Sequence, residues 1–225
     1  MVKNIFIFFL LIVIHFNLPL LILHQFPNYI EESSGKSRRL ISQDDNQRSN
    51  LTGHSSAEKE IINPKNWIAR GGCWDFSDKI FFSQGYRGGN KAYYKKQDYK
   101  NFTLEVKVMK LAEDGPLGIV FRYDDAKDNG YIFAVFPHGE YFISKLIGQT
   151  DEYLQLGETA YLNEEINTWN TLKVVAAGAK FDCYINGNFL SSVTDHSFST
   201  GKIGLWNSGD PRQLAKFEII SIVEH

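Results

Sequence analysis

Between residues 67 and 223 apolar and polar side chains alternate in short runs, and this pattern constrains the fold more than any other feature. It is clearest where every second side chain of residues 102–109 is apolar, namely at Phe102, Leu104, Val106 and Val108. The positions between them carry Thr103, Glu105 and Lys107. A period of two is typical of a strand with one buried face and one face toward solvent.

About a dozen such segments follow one another, and no segment has the pattern of a long helix. Segments 117–123 and 130–136 are expected to form one hairpin. Asn186-Gly187 lies between two others, and this pair favours a type I′ turn because both central residues adopt positive φ. Residues 158–167 are expected to be helical or irregular. The sequence therefore predicts an all-β protein, an antiparallel two-sheet jelly-roll sandwich.

The first 30 residues have a different character. A nearly unbroken apolar run at 5–23 predicts an N-terminal apolar helix, which serves as a signal peptide or a membrane anchor. Small residues for a cleavage site appear only at Ser33, Ser34 and Gly35, about ten residues after the run, so the anchor is favoured. Either segment implies that the domain is secreted or membrane-anchored and extracytoplasmic.

Residues 31–60 are rich in serine, asparagine, glutamine and charge, and such a segment buries too little apolar surface to fold. We expect a disordered linker there and one sandwich domain at 61–225. The formal net charge is −2, and the basic residues are scattered, so a nucleic-acid partner is not expected. The expected partners are a glycan or glycosylated surface and, through residues 5–23, a membrane.

Cys73 and Cys183 are the only cysteines and lie more than a hundred residues apart. Cys183 shares one side of a predicted strand with Phe181 and Ile185, which indicates a small buried side chain. A disulfide between the two cysteines is the less favoured alternative. Two cysteines alone do not make a structural zinc site.

Several segments follow one another in a fixed order, namely Trp74-Asp-Phe76, Asp98–Glu105, Gly118–Arg122, Trp169–Val174, Tyr184–Gly187, Asp195 and Gly201–Leu205. This order resembles the concanavalin A-like superfamily, in particular laminin-G-like modules and domains of the 3-keto-disaccharide hydrolase type. The resemblance spans residues 67–223 and implies a two-sheet sandwich. Because this fold carries both binding proteins and enzymes, the resemblance does not decide the chemistry.

Strand parity suggests where a ligand would bind. In segment 117–123, alternation places Ile119, Phe121 and Tyr123 toward the core and Arg122 on the outer, concave face. An arginine there can donate several hydrogen bonds to hydroxyl or carboxylate groups. A polar and aromatic set is expected to bind ligand around it: Arg122, Tyr131, Lys145, Asp195, Trp206 and Asn207. Trp206 precedes a glycine-containing loop and is the tryptophan expected to be exposed, whereas Trp67, Trp74 and Trp169 are assigned to the core.

Signatures of catalysis and of cofactors are sparse. The alternating acidic motif of retaining glucanases is missing, as are the Gly-x-Ser-x-Gly and His-Glu-x-x-His motifs. The Tyr-Glu-x-Gln segment common in keto-sugar hydrolase relatives is missing too. The acidic stretch Asp124–Gly130 fails the EF-hand pattern and predicts a polar turn, although its oxygens suit Ca²⁺. No other cofactor or metal is expected.

These observations favour a carbohydrate-binding, lectin-like module without a catalytic pair. The first alternative is a glycoside hydrolase or lyase of the 3-keto-disaccharide hydrolase type, in which Arg122 orients the substrate and Asp195 or a nearby carboxylate transfers a proton. The second alternative is an adhesion domain that binds protein only. A concave face without exposed aromatic rings or convergent polar groups would favour the adhesion domain.

Overall fold

A computed structural model describes residues 60–77, 79–86, 88–112 and 115–225. The predicted apolar segment at 5–23 and all but the last residue of the predicted linker lie outside these ranges. Within them, no helix combines the length and the apolar character needed to cross a membrane.

In these ranges the chain forms a 3₁₀ helix at Pro64–Asn66 and fourteen strands. The strands are β1 (Trp67–Arg70), β2 (Cys73–Ser77), β3 (Ile80–Gln84), β4 (Asn90–Tyr94), β5 (Phe102–Lys110), β6 (Leu117–Asp124), β7 (Asn129–Val135), β8 (Glu140–Ile147), β9 (Thr150–Glu158), β10 (Trp169–Ala177), β11 (Lys180–Ile185), β12 (Asn188–Thr194), β13 (Lys202–Asn207) and β14 (Leu214–Glu224). Residues 159–168 are irregular.

The strands form two seven-stranded sheets in which every neighbouring pair is antiparallel. The first sheet has the order β1-β4-β13-β6-β7-β8-β9, and the second has the order β12-β11-β10-β5-β14-β3-β2. This arrangement confirms the predicted all-β, jelly-roll-like sandwich. Strands distant in sequence lie at the centre of each sheet, so the fold depends on long-range pairing.

The two hairpins predicted from the sequence are present. Strands β6 and β7 pair across residues 124–129. Strands β11 and β12 pair with Ile185 opposite Asn188, and both turn residues have positive φ, 50° at Asn186 and 80° at Gly187. Asparagine and glycine tolerate this left-handed conformation better than other residues, which explains why the turn lies here.

The core lies between the sheets and contains side chains of both. The predicted alternation in β5 is confirmed, because its apolar residues are buried and the polar residues between them are partly exposed. Cys183 is fully buried in this core together with Phe181 and Ile185, as its strand position predicts. Cys73 is exposed, and both cysteines are free thiols.

Phe102 provides a test of the core. Its side chain is fully buried and packs edge-on against Phe121 of the opposite sheet at a centroid distance of 6.2 Å. We expect Phe102→Ala to lower the free energy of unfolding by about 3–5 kcal/mol, because the cavity left behind cannot collapse completely. Urea unfolding followed by fluorescence measures the change.

Phe189→Ala in β12 is the matched control, since this phenylalanine is 54% exposed. Its substitution is expected to change the free energy of unfolding by less than about 0.5 kcal/mol. Equal effects of the two substitutions would contradict the assignment of the core.

Candidate functional site

The face of the first sheet that points away from the second sheet, called here the outer face, carries a second apolar cluster. A sheet face toward solvent is usually polar, so buried apolar side chains on it are unusual. The members of the cluster are Tyr93, Val120, Tyr123, Ile132, Ala134, Phe142, Leu146 and Trp206, with Phe136 packed against them. They form an apolar floor over the middle of the sheet.

A recess of about 420 Å³ opens on this floor and is called here the Trp206 recess. Its apolar wall comes from strands β7, β8 and β13, and its polar groups come from β4, β9 and the β6–β7 turn. The main lining side chains are Lys91, Asp128, Ile132, Leu146, Asp151 and Trp206. An apolar floor with a few convergent polar groups is the usual composition of a small-molecule site.

Trp206 lies at the centre of the outer face, but it is not exposed as the sequence predicts: only 6% of it is accessible. Its indole packs edge-on against Phe142, with ring centroids 5.8 Å apart. The loop that precedes β4 also covers it, because a Cβ atom on Gly89 would lie 2.6 Å from the indole Nε1. Gly89 therefore lets the loop backbone lie close to the indole. This contact buries most of the ring, and the remaining accessible part lines the recess.

Lys91 and Asp128 form an ion pair in the recess, with 2.8 Å between Lys91 Nζ and Asp128 Oδ1. The hydroxyl of Tyr123 donates to the same oxygen at 2.8 Å. Burial, together with this hydrogen bond and the nearby charge of Asp128, raises the pKa of Tyr123 above its ordinary value. The tyrosine therefore remains a hydrogen-bond donor, and it holds Asp128 in place.

Asp151 faces the same recess from β9 and is held less tightly. Its described hydrogen bond comes from Ser144 Oγ at 3.5 Å. Loss of hydration at the recess wall raises the pKa of Asp151, and the charge of Asp128 acts in the same direction. Lys91 and Ser144 oppose the shift without cancelling it. This carboxyl group thus keeps its proton to a higher pH than an ordinary aspartate.

The carboxylates of the acidic turn between β6 and β7 bind other groups of the protein. Asp124 Oδ1 accepts from the backbone N–H of Ala126, as a polar turn predicts. Asp125 accepts from the hydroxyl of Tyr93 at 2.8 Å and pairs with Arg70, and Asp128 is bound as described above. Among the described residues, no cluster of three or more acidic, histidine or cysteine side chains could hold a metal ion.

Arg122 does not lie on the outer face as strand parity predicts. The pairing of β6 with β7 shifts between Phe121 and Asp124, and Arg122 has a φ of 48°. This bulge adds a residue to one strand, which moves Tyr123 to the outer face and turns Arg122 toward the second sheet. Arg122 is 1% exposed.

The guanidinium group of Arg122 bonds to the backbone of three separate segments. It donates to the carbonyl oxygens of Lys100 and Gly178 at 2.6 Å each and of Phe198 at 2.9 Å. It also lies over the ring of Phe181, 4.9 Å from the centroid. Burial lowers the pKa of Arg122 below its ordinary value. These contacts indicate that Arg122 fastens loops together.

Three further predicted residues gather beside Arg122. Tyr131 donates to Asp195 Oδ1 at 2.6 Å, and Lys145 lies 3.6 Å from Asp195 Oδ2. Arg122 and Asp195 line a recess of about 210 Å³ that is separate from the Trp206 recess. Four of the six predicted residues are therefore neighbours, but at one end of the sandwich interior and not on the outer face.

Asn207 follows Trp206 in β13 and points to the opposite side of the sheet. It is fully buried, and its Nδ2 donates to Ser83 Oγ of the second sheet at 2.9 Å. The structure thus places Trp206, but none of the other five predicted residues, in the outer-face recess. Ligand binding by any of the six remains a prediction.

Sequence reasoning missed three residues of the recess. Asp128 belongs to the acidic turn, which sequence reasoning considered only as a polar turn or a Ca²⁺ site. Lys91 and Asp151 occupy ordinary strand positions, and no local pattern distinguishes them from solvated charges. Asp151 belongs to the local β8–β9 hairpin, but its convergence with Lys91 depends on the pairing of β4 with β13, which are far apart in sequence.

Residues 49–222 match the family described as the 3-keto-alpha-glucoside-1,2-lyase-like domain, and the chain belongs to this family. The predicted resemblance to 3-keto-disaccharide hydrolase domains is thereby confirmed, and the membership supports a sugar-related function. No curated protein sequence matches the chain significantly.

Solved structures share the fold. The carbohydrate-binding module CBM66 from Bacillus subtilis is 21% identical with a TM-score of 0.63, and the match covers 71% of this chain and 96% of that one. A protein of unknown function with a galectin-like fold from Bacillus subtilis is 12% identical, with a TM-score of 0.58 and coverages of 71% and 90%. A putative glycosyl hydrolase from Parabacteroides distasonis is 17% identical, with a TM-score of 0.53 and coverages of 72% and 94%. At these identities the likeness concerns the fold.

Arg122 is expected to stabilise the protein. Arg122→Met should lower the free energy of unfolding by about 2–4 kcal/mol, because it removes the donors of three carbonyl groups. Arg212→Met is the control, since the Arg212 side chain is 73% exposed and pairs with Asp210 at the surface, where an ion pair contributes little. Chemical denaturation measures both variants. An Arg122→Met protein of unchanged stability that no longer binds ligand would contradict the structural role.

Asp195 should make stability depend on pH in the acidic range. Burial alone would raise its pKa, but hydrogen bonds from Tyr131 and Ser197 and the charge of Lys145 outweigh burial and lower the pKa from 3.8 to about 2. Because the folded-state pKa is depressed, the stabilisation is complete above about pH 4 and is lost as the pH falls toward 2. The difference corresponds to about 2 kcal/mol.

Urea unfolding between pH 2 and 5 measures this effect. Asp195→Asn does not titrate, so its stability should fall less steeply than that of the wild type over this window. Parallel curves for the two proteins would contradict the expected pKa of Asp195.

Proposed function

We propose that the protein is an extracytoplasmic carbohydrate-binding module and that a sugar binds in the Trp206 recess. The single observation that carries this proposal is the recess itself, an apolar floor on the outer face bordered by Lys91, Asp128 and Asp151. Membership of a family named for a lyase of keto-glucosides supports a sugar as the ligand.

The recess offers complementary groups to a sugar ring. The C–H face of the ring would pack against Leu146 and the indole of Trp206, the two large apolar lining side chains that keep some accessible surface. Its hydroxyl groups would donate to the carboxylates of Asp128 and Asp151 and accept from the ammonium of Lys91. Since Asp128 and Lys91 already bind each other, they are preorganised, and little side-chain ordering remains to be paid for on binding.

A second candidate function is a lyase reaction, which the proximity of Lys91, Asp128 and Asp151 favours. In a 3-keto-α-glucoside the C2 proton is acidic because it is adjacent to the ketone. Asp151 would take this proton, and Lys91 would stabilise the developing enolate charge. The C–H electron pair then forms the C1–C2 double bond, the C1–O bond breaks, and the leaving oxygen takes the proton back from Asp151, which restores the carboxylate. The products are an unsaturated keto-sugar and the alcohol.

An adhesion domain that binds protein only is less well supported. Convergent polar groups over an apolar floor suit a small polar ligand better than a flat protein surface.

Asp151 is the residue that tests the binding proposal. A glycan array identifies a bound sugar, and titration calorimetry then compares the wild type with Asp151→Asn. We expect the variant to bind about tenfold more weakly, because a charge-assisted hydrogen bond to a hydroxyl is lost.

Glu152→Gln is the matched control, since the neighbouring Glu152 pairs with Lys145 away from the recess. Its affinity for the sugar should equal that of the wild type. The proposal would be refuted if the wild-type protein bound no glycan on the array and its titration with sugars produced no heat of binding.

The two candidate functions differ in turnover. Incubation with 3-keto-trehalose, followed by mass spectrometry, detects the unsaturated keto-sugar and released glucose. The binding function predicts that 3-keto-trehalose is recovered intact. The lyase function predicts turnover that Asp151→Asn lowers more than a hundredfold, the usual size of a general-base effect, while Glu152→Gln stays active.

A further inference from the structure

A second recess of about 450 Å³ lies at the other end of the β8–β9 hairpin and is called here the Leu156 recess. Phe136, Tyr141 and Leu156 contribute apolar surface, and Gly157 lies against the ring of Tyr141. The two remaining lining residues are Glu140 and Glu158. Of these residues, only Phe136 takes part in the site described above, where it packs against the apolar floor.

Aromatic contacts connect the two recesses along the outer face. Phe142 packs against Trp206 at 5.8 Å and against Phe136 at 5.7 Å, and these two rings line the Trp206 recess and the Leu156 recess respectively. Tyr153 stands edge-on to Phe142 at 5.5 Å and is 54% exposed. A continuous apolar strip therefore runs from one recess to the other.

Leu156 is the most exposed of the large apolar side chains described, with 59% of it accessible. Together with Tyr153 it forms an apolar surface beside the second recess. Exposed apolar surface next to a recess commonly marks a ligand-binding groove.

The charges of the Leu156 recess restrict what it can bind. Glu140 and Glu158 are direct cross-strand partners, and like charges in this position destabilise a sheet. None of the residues that line this recess is basic. The two carboxylates can accept hydrogen bonds from hydroxyl groups, but they would repel a uronic acid, a sulfated sugar or another anion.

We infer that the two recesses are subsites of one groove and that its ligand is a neutral oligosaccharide. The inference rests on the proposed sugar-binding function of the Trp206 recess and extends it. Along β8, the six-residue step from Leu146 in the first recess to Glu140 in the second spans about 20 Å. This span is longer than a disaccharide, so a chain of several sugar units fills the groove, and the middle units lie over Phe142 and Tyr153.

Affinity as a function of chain length tests the inference. Titration calorimetry with malto-, cello- and fructo-oligosaccharides of two to six units identifies the series that binds. For that series we expect affinity to rise about tenfold between the disaccharide and the chain that reaches both recesses, and then to level off, because further units contact solvent. An affinity that does not depend on length overturns the inference.

Leu156→Ala separates the two subsites. We expect this variant to bind the long oligosaccharide about fivefold more weakly and the disaccharide as well as the wild type does, because only the long chain reaches Leu156. Phe189→Ala is the control, since this residue is similarly exposed on the edge strand of the second sheet. Equal losses for short and long chains, or no loss for either, contradict the second subsite.

Glu140→Lys tests the charge argument. The wild type should not bind oligogalacturonides measurably, whereas the variant should gain affinity for them by at least about tenfold, since a repulsion becomes an attraction. Wild-type binding of an acidic oligosaccharide overturns the assignment to neutral sugars.

The failure of this inference differs from the failure of the proposed function. If no sugar of any length binds, the proposed function is wrong and the inference falls with it. If sugars bind and Asp151→Asn weakens their binding, while chain length and Leu156→Ala leave the affinity unchanged, only the second subsite is refuted.

Discussion

The bulge in β6 is the constraint on which both the packing and the candidate site depend. A regular strand would place Arg122 on the outer face and Tyr123 in the core, but the extra residue between Phe121 and Asp124 exchanges their sides. Arg122 then reaches three backbone carbonyls near the second sheet, and Tyr123 reaches Asp128 on the outer face. One local irregularity therefore fastens one end of the sandwich and positions a carboxylate of the recess.

Arginine suits this buried position because its planar fork donates in several directions at once, whereas a lysine has a single nitrogen. Removing the charge from water is unfavourable, and the same burial lowers the pKa of Arg122. Three carbonyl oxygens and the face of Phe181 offset that cost. The neighbouring Asp195 is held by Tyr131 and Lys145 in a network of its own.

Whether the sequence predicts a given feature of the fold depends on how far apart in sequence the interacting residues are. Local signals were sufficient for the Asn186-Gly187 turn and for the burial of Cys183, since turn chemistry and strand parity act over a few residues. The parity prediction was wrong at Arg122 because the sequence contains no sign of the bulge. Residues 117–124 contain no proline, and their one glycine, Gly118, lies near the start of the strand. The burial of Trp206 could not be predicted, since Gly89 and Phe142 reach it through tertiary packing.

The recess contains two carboxyl groups with contrasting partners, and this contrast bears on whether it binds or catalyses. Asp128 accepts from both Lys91 and Tyr123 through one oxygen, so these two side chains already hold it in place. Asp151 has no ion pair among the described residues, and loss of hydration raises its pKa. A raised pKa makes a carboxylate a stronger proton acceptor, which a lyase needs at C2 of a keto-sugar. The same group would accept a hydrogen bond from an ordinary sugar hydroxyl without proton transfer. Under the proposed function, the acidity of the proton that a sugar presents to Asp151 therefore decides between binding and elimination.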